Sequence, residues 1–217
     1  MNRRTLVSTT ALLAVAAFAG SAVLYGRQRS AEALAAAGGS QLIRSHSPVI
    51  GTADAPVTVV EFFDPSCEAC RAFYPIMKQI LAAHPDDVKL VLRYTPLHEG
   101  SDEVVRIVEA ARRQNMFETV LEALLARQAE WAVHGAPDLD KAWNIAGAAG
   151  LDIDRAKRDA ASPEIAEVLR QDVKDMEAAK IQRTPTFFVN GKPLTEFGPQ
   201  QLYDLIVSEI PTNNDGS

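Results

Sequence analysis

The chain has 217 residues, 47% hydrophobic and 23% charged, with a net charge of −6, which suits one folded domain with appendages and excludes a wholly disordered polypeptide. The first 45 residues carry five arginines against the single acidic Glu32, whereas the remainder carries 17 basic and 27 acidic residues. Such an acidic body lacks the lysine and arginine face that phosphate contacts require, and general nucleic-acid binding is excluded.

Residues 1-30 begin with Arg3 and Arg4, followed by an uncharged stretch from Thr5 to Gly26 whose most apolar part runs from Ala11 to Tyr25. A basic start and an apolar core are what an export signal needs. The paired arginines resemble a twin-arginine signal, although Sec signals carry such pairs too. Ala17-Phe18-Ala19 offers a small-x-small cleavage site. The uncharged run also approaches the roughly 20 residues that span a bilayer, so signal peptide and retained anchor both stay open. Residues 31-46, Ala-rich and containing Gly38-Gly39-Ser40, read as a linker. No heptad pattern suggests an oligomerising stalk, and a monomer is expected.

The folded body is placed at residues 47-210, with a short tail over 211-217. Val57 to Phe63 is a β-branched and aromatic run ending at Asp64-Pro65, and predicts a buried strand. Phe73, Ile76, Met77, Ile80 and Leu81 recur at helical spacing up to His84-Pro85, and Val88 to Leu92 predicts a second strand; together these form a βαβ unit with parallel strands. From about residue 100 to 181 the chain is helical, with four to six helices and starts at Ser101, Asp138, Asp152 and Ser162. Trp131, Trp143, Phe117 and Met116 read as core of this block, and Arg112-Arg113 as its solvated surface. A strand returns at Thr184 to Val189, Asn190-Gly191 makes a hairpin turn, Pro193-Leu194 begins the return strand, and Pro199 to Ile210 closes as a helix. The expected fold class is α/β: a thioredoxin-like fold with an inserted helical domain, preceded by a signal or anchor segment.

Cys67 and Cys70 are the only cysteines, too close in sequence to staple distant elements. On the helical wheel Cys67 lies about 110° from the centre of the apolar face and Cys70 about 50° from it, so one sulfur should be accessible and the other sheltered. An accessible thiol in a first helical turn is acidified by the helix dipole and free N-H groups. It attacks, and the second thiol resolves the mixed disulfide. Zinc would need further ligands, which His46, His84, His98 and His134 are too scattered to supply; a periplasmic copper-binding or chaperone-like module using the same two cysteines remains an alternative. His98, after the second strand, is a candidate neighbour of the site.

Phe62-Phe63-Asp64-Pro65-Ser66-Cys67-Glu68-Ala69-Cys70, with Pro75 in the helix and Thr184-Pro185-Thr186-Phe187-Phe188-Val189-Asn190-Gly191 beyond the insert, resembles the DsbA branch of the thioredoxin superfamily. The resemblance implies a redox-active Cys67-Cys70 disulfide exchanging with cysteine-containing exported proteins. It also implies a membrane partner that recycles the pair, a periplasmic location and no cofactor or metal. It further implies a cis Thr184-Pro185 bond beside the sulfurs, with Pro185 as a remote member of the catalytic set and Thr184, Glu68 and Ala69 contacting substrate. Glu61 stands where the family often has an acid that moves protons; the other readings are a solvated edge residue or a partner of Arg93. Pro75 should kink its helix near Arg71. Glu68 beside Cys67 disfavours a second negative charge, and Thr184 resembles the residue of isomerases and reductive relatives, so a maximal oxidase is not expected.

Overall fold

The computed structural model describes residues 42-211. The signal or anchor segment, most of the linker and all but the first residue of the tail lie outside them; among the described residues no helix is long and apolar enough to cross a membrane.

Five strands form one sheet: β1 (Val49–Gly51), β2 (Val57–Phe63), β3 (Val88–Tyr94), β4 (Thr186–Val189) and β5 (Lys192–Pro193), in the order β1-β3-β2-β4-β5. β2 and β3 are parallel, as the βαβ pattern requires, and the other pairs are antiparallel. Because successive strand side chains point to opposite faces, β2, buried at every position but Thr58, serves two cores. Val57, Val59 and Phe63 join the core shared with the helical block, whereas Val60 and Phe62 pack with Leu42, Val91, Ala179, Ile181 and Phe188 on the other face. Asn190 and Gly191 supply the two positive φ angles, 47° and 80°, of the β4-β5 hairpin. The strand β1 was not anticipated, being only three residues long.

Helix α1 (Glu68–Ala83) buries Cys70, Phe73, Tyr74, Met77, Ile80 and Leu81. It continues through Pro75, which sits on the exposed side, where a lost donor costs least. The helical block holds six helices: α2 (Ser101–Arg112), α3 (Phe117–Ala126), α4 (Gln128–Trp131), α5 (Leu139–Ala148), α6 (Ile153–Ala160) and α7 (Pro163–Ala178). Asp138, Asp152 and Ser162 cap α5, α6 and α7 with their side chains. At α2 the helix begins at Ser101 as expected, but the capping position is Gly100, with φ 74°, and the Ser101 hydroxyl is turned to Asp64 instead. Trp131 and Trp143 are buried in this block. The C-terminal helix α8 (Pro199–Glu209) returns to the sheet through Leu202 and Ile206.

Residues 42-46 are not linker-like. Leu42 is buried, Arg44 makes a bidentate pair with Asp175 (2.7 Å to each oxygen), and His46 Nε2 lies 2.8 Å from Asp172. Both aspartates belong to α7 and also hold the fully buried Arg93 of β3, at 2.6 Å for Asp175 and 2.9 Å for Asp172. This ionic cluster fastens the N-terminal segment to the back of the sheet.

Candidate active site

Cys67 is the N-cap of α1, with extended φ and ψ of −75° and 123°, so its sulfur faces the free N-H groups of the first turn. Cys70, one turn on, begins the buried stripe. Cys67 is 7% exposed and Cys70 0%: the order matches the helical-wheel reading, but the outer sulfur is recessed rather than open. Both cysteines are free thiols, the reduced form of the pair.

The Cys67 thiol is lowered to about 5, first by a hydrogen bond from the Cys70 thiol and further by Thr184 and the N-H groups of Cys70 and Ala69, with burial opposing. Cys70 moves the other way. Burial, then the hydrogen bond to Cys67 and the charge of Glu61, push it far up, so it keeps its proton. Glu68, expected to weaken the Cys67 thiolate, has an exposed side chain 3.7 Å from His134 Nε2. The short-range donors outweigh it. Iodoacetamide alkylation of Cys67 should therefore have its midpoint near pH 5 and stay nearly level from pH 6 to 8; a midpoint near 8.5, the ordinary thiol value, would contradict this geometry.

The Thr184-Pro185 peptide is cis. The Thr184 carbonyl oxygen lies 3.3 Å from Cys67 Sγ, so two segments 117 residues apart meet at one sulfur. Pro185 is buried.

Glu61 is fully buried on β2, and neither carboxylate oxygen has a hydrogen-bond partner. Burial, then the charge of Cys67, holds it protonated well above the usual carboxylate range. The solvated-edge and Arg93-partner readings are overturned. In the parallel register Glu61 lies opposite Leu92 and Phe62 opposite Arg93, so the pleat sends Glu61 toward α1 and Arg93 to the other face, over the Phe62 ring.

Two further residues build the site and were missed in the sequence. Buried Asp64 accepts from the Ser66 N-H (2.8 Å), the Leu97 N-H (2.8 Å), the His98 N-H (3.1 Å) and the Ser101 hydroxyl (2.6 Å), with His98 Nδ1 at 2.7 Å. It thereby ties the loop before Cys67 to the loop after β3, while its own N-H points at Cys70 Sγ at 3.5 Å. Gln128 of α4 donates to the carbonyls of Pro65 (2.8 Å) and Cys67 (3.0 Å), clamping the helical block to the same turn. Asp-Pro marks a turn and Gln a helix surface; neither betrays these contacts locally. His98 does border the site: its ring lies 5.8 Å from that of His134, and the Asp64 hydrogen bond raises its affinity for a proton against the cost of burial. Among the described residues no group of three or more His, Cys, Asp or Glu side chains is disposed to hold a metal ion.

A family profile described as thioredoxin matches residues 44-206. Among solved structures, a thioredoxin-like oxidoreductase from Silicibacter pomeroyi DSS-3 is 31% identical, with 76% of this chain and 92% of that one covered and a TM-score of 0.66. Oxidised BdbD from Bacillus subtilis is 26% identical, with 75% and 92% covered and a TM-score of 0.66. Among curated sequences, the Na(+)/H(+) antiporter NhaA of Herminiimonas arsenicoxydans is 32% identical over 144 residues, 66% of this chain but 22% of the antiporter. The chain thus spans under a quarter of that relative's length. With the sheet order, the cysteine pair at the start of α1 and the cis-proline loop against it, these matches show that the chain belongs to the thioredoxin family.

Proposed function

We propose that the chain is an exported oxidoreductase that exchanges disulfides with cysteine-containing proteins, oxidation being its favoured direction. The observation that carries this is the contrast between the two sulfurs: Cys67 acidified to about 5 and Cys70 held as a thiol beside a protonated Glu61. In the oxidised chain a substrate thiolate attacks Cys67 Sγ, breaking the Cys67-Cys70 bond and forming a mixed disulfide. Cys70 departs as a thiolate and takes the proton of Glu61. A second substrate thiolate then attacks the substrate sulfur of the mixed disulfide, forming the substrate disulfide and releasing Cys67 as a thiolate. Two electrons pass from substrate to the pair. The low Cys67 value makes that sulfur a good leaving group and stabilises the reduced form, which is the property of an oxidant. It lies between the roughly 7 of thioredoxin and the roughly 3.5 of a strong oxidase. With a scrambled substrate, the same thiolate starts isomerisation.

Thr184, Glu68 and Ala69 are assigned to substrate contact beside the attacking sulfur, and Pro185 to the catalytic set as its remote member. Export, periplasmic placement, anchoring by the N-terminal segment and recycling by a membrane redox partner rest on the basic, apolar N-terminus and the family resemblance. Sodium-proton exchange belongs to relatives far longer than this chain and is no part of the proposal. The direction is tested by the reduction potential of the Cys67-Cys70 couple against glutathione: a value well above that of thioredoxin supports oxidation, and one at or below it assigns the chain to reduction.

Glu61→Gln keeps the shape of the side chain and removes its proton chemistry. It should slow release of Cys70 by about 100-fold in single-turnover oxidation of a dithiol peptide, the lower end of the range for one lost acid-base group. Unchanged rates from pH 5 to 8 would remove Glu61 from the mechanism.

A further inference from the structure

Both carboxylate oxygens of Glu61 and the hydroxyl of Tyr74 are buried with no hydrogen-bond partner in the protein. Buried polar atoms are nearly always partnered, so such orphaned atoms mark a place where water or a proton passes. Tyr74 lies one turn beyond Cys70 on the buried stripe of α1. One turn further, Lys78 reaches the surface, with Nζ 2.7 Å from Glu118 and 3.1 Å from Glu122 of α3. Cys70, Tyr74 and Lys78 therefore form a ladder at i, i+4 and i+8 from the sheltered sulfur to solvent. The charged and titratable groups facing Tyr74 are Glu61 from β2, Cys70 and Lys78 from its own helix, and Glu118 and Glu122 from α3. After burial, Glu122, Glu118 and Glu61 all push the phenol up and keep it un-ionised.

We infer that Tyr74 is a proton-relay residue through which Glu61 regains, from solvent at Glu118 and Glu122, the proton it has given to Cys70. The inference rests on the reading of Glu61 as the acid of Cys70. In that step the Cys70 thiolate becomes a thiol and Glu61 a carboxylate. The Tyr74 hydroxyl then passes its proton to Glu61, through a bridging water, and accepts another from the Glu118-Glu122 side. No electrons move, and the phenol ends as it began.

Tyr74→Phe removes one unpartnered oxygen and keeps the ring. The full chain should retain its reduction potential and the rate of Cys67 alkylation, whereas turnover of a dithiol peptide should fall about tenfold above pH 7, with a larger solvent deuterium isotope effect. Glu118→Gln with Glu122→Gln, on the surface, should produce a smaller loss with the same pH dependence, and serves if the Tyr74 variant misfolds. If Tyr74→Phe turns over like the wild type while Glu61→Gln is slow, the relay is wrong and the acid stands. If Glu61→Gln is also fast, the acid falls and the relay with it.

Discussion

Cys67→Ser is expected to abolish thiol-disulfide exchange, with a loss of at least about a thousandfold in the rate of dithiol peptide oxidation. A hydroxyl is not ionised near neutral pH and forms no disulfide, so neither the oxidised pair nor the mixed disulfide can exist. The surroundings that bring Cys67 to about 5, the N-cap position and the Cys70 thiol above all, cannot bring a serine within reach of neutrality. Cys70→Ser should fail differently. Its Cys67 still attacks a disulfide substrate, but the mixed disulfide accumulates because nothing resolves it, and it is visible on a non-reducing gel. The variant should also show a higher alkylation midpoint, since the largest acidifying contact is gone. Two variants with equal residual activity and no trapped adduct would refute the assignment of attacker to Cys67 and resolver to Cys70.

Asp172→Ala should be the most damaging change away from the cysteines, lowering stability by about 3 kcal/mol, toward the lower end of what breaking a buried pair costs. Asp172 is fully buried and accepts from Arg93 Nε at 3.0 Å, from its Nη2 at 2.9 Å and from the Tyr94 N-H at 2.8 Å, with His46 at 2.8 Å. Its removal leaves a buried guanidinium leaning on Asp175 alone among the two aspartates, and a backbone N-H of β3 without its acceptor. For a domain of this size the melting temperature should fall by about 6-12 °C. Exchange at 25 °C should remain, because the cluster lies on the sheet face away from the helix that carries the cysteines. A drop under about 1 kcal/mol in thermal unfolding followed by circular dichroism would show that the cluster is solvated rather than structural.

Much of this architecture was legible because its signals are local. The Val57–Phe63 run, the stripe from Cys70 to Leu81, the Asn190-Gly191 turn and the caps at Asp138, Asp152 and Ser162 each declare themselves within a few residues. Ser101 shows the limit of that logic. Its hydroxyl suits a cap and a long-range hydrogen bond equally, and Asp64, 37 positions earlier, won it. The segment from Leu42 to His46 misled for the same reason, since nothing local says that Arg44 finds Asp175, 131 positions away.

The sequence by itself determined the geometry of the pair: two cysteines one helical turn apart after a buried strand, one at the helix start and the other on its apolar side. That information lies in i, i+3 geometry and survives any arrangement of the rest. Only the tertiary structure decided what surrounds the pair. The parallel register of β2 on β3 placed Glu61 beneath the helix and Arg93 on the opposite face, and chain closure brought Thr184, Asp64 and Gln128 to the turn at Cys67. A shift of one residue would exchange the faces, because strand side chains alternate, and the thiol acidity set by those neighbours would change with it.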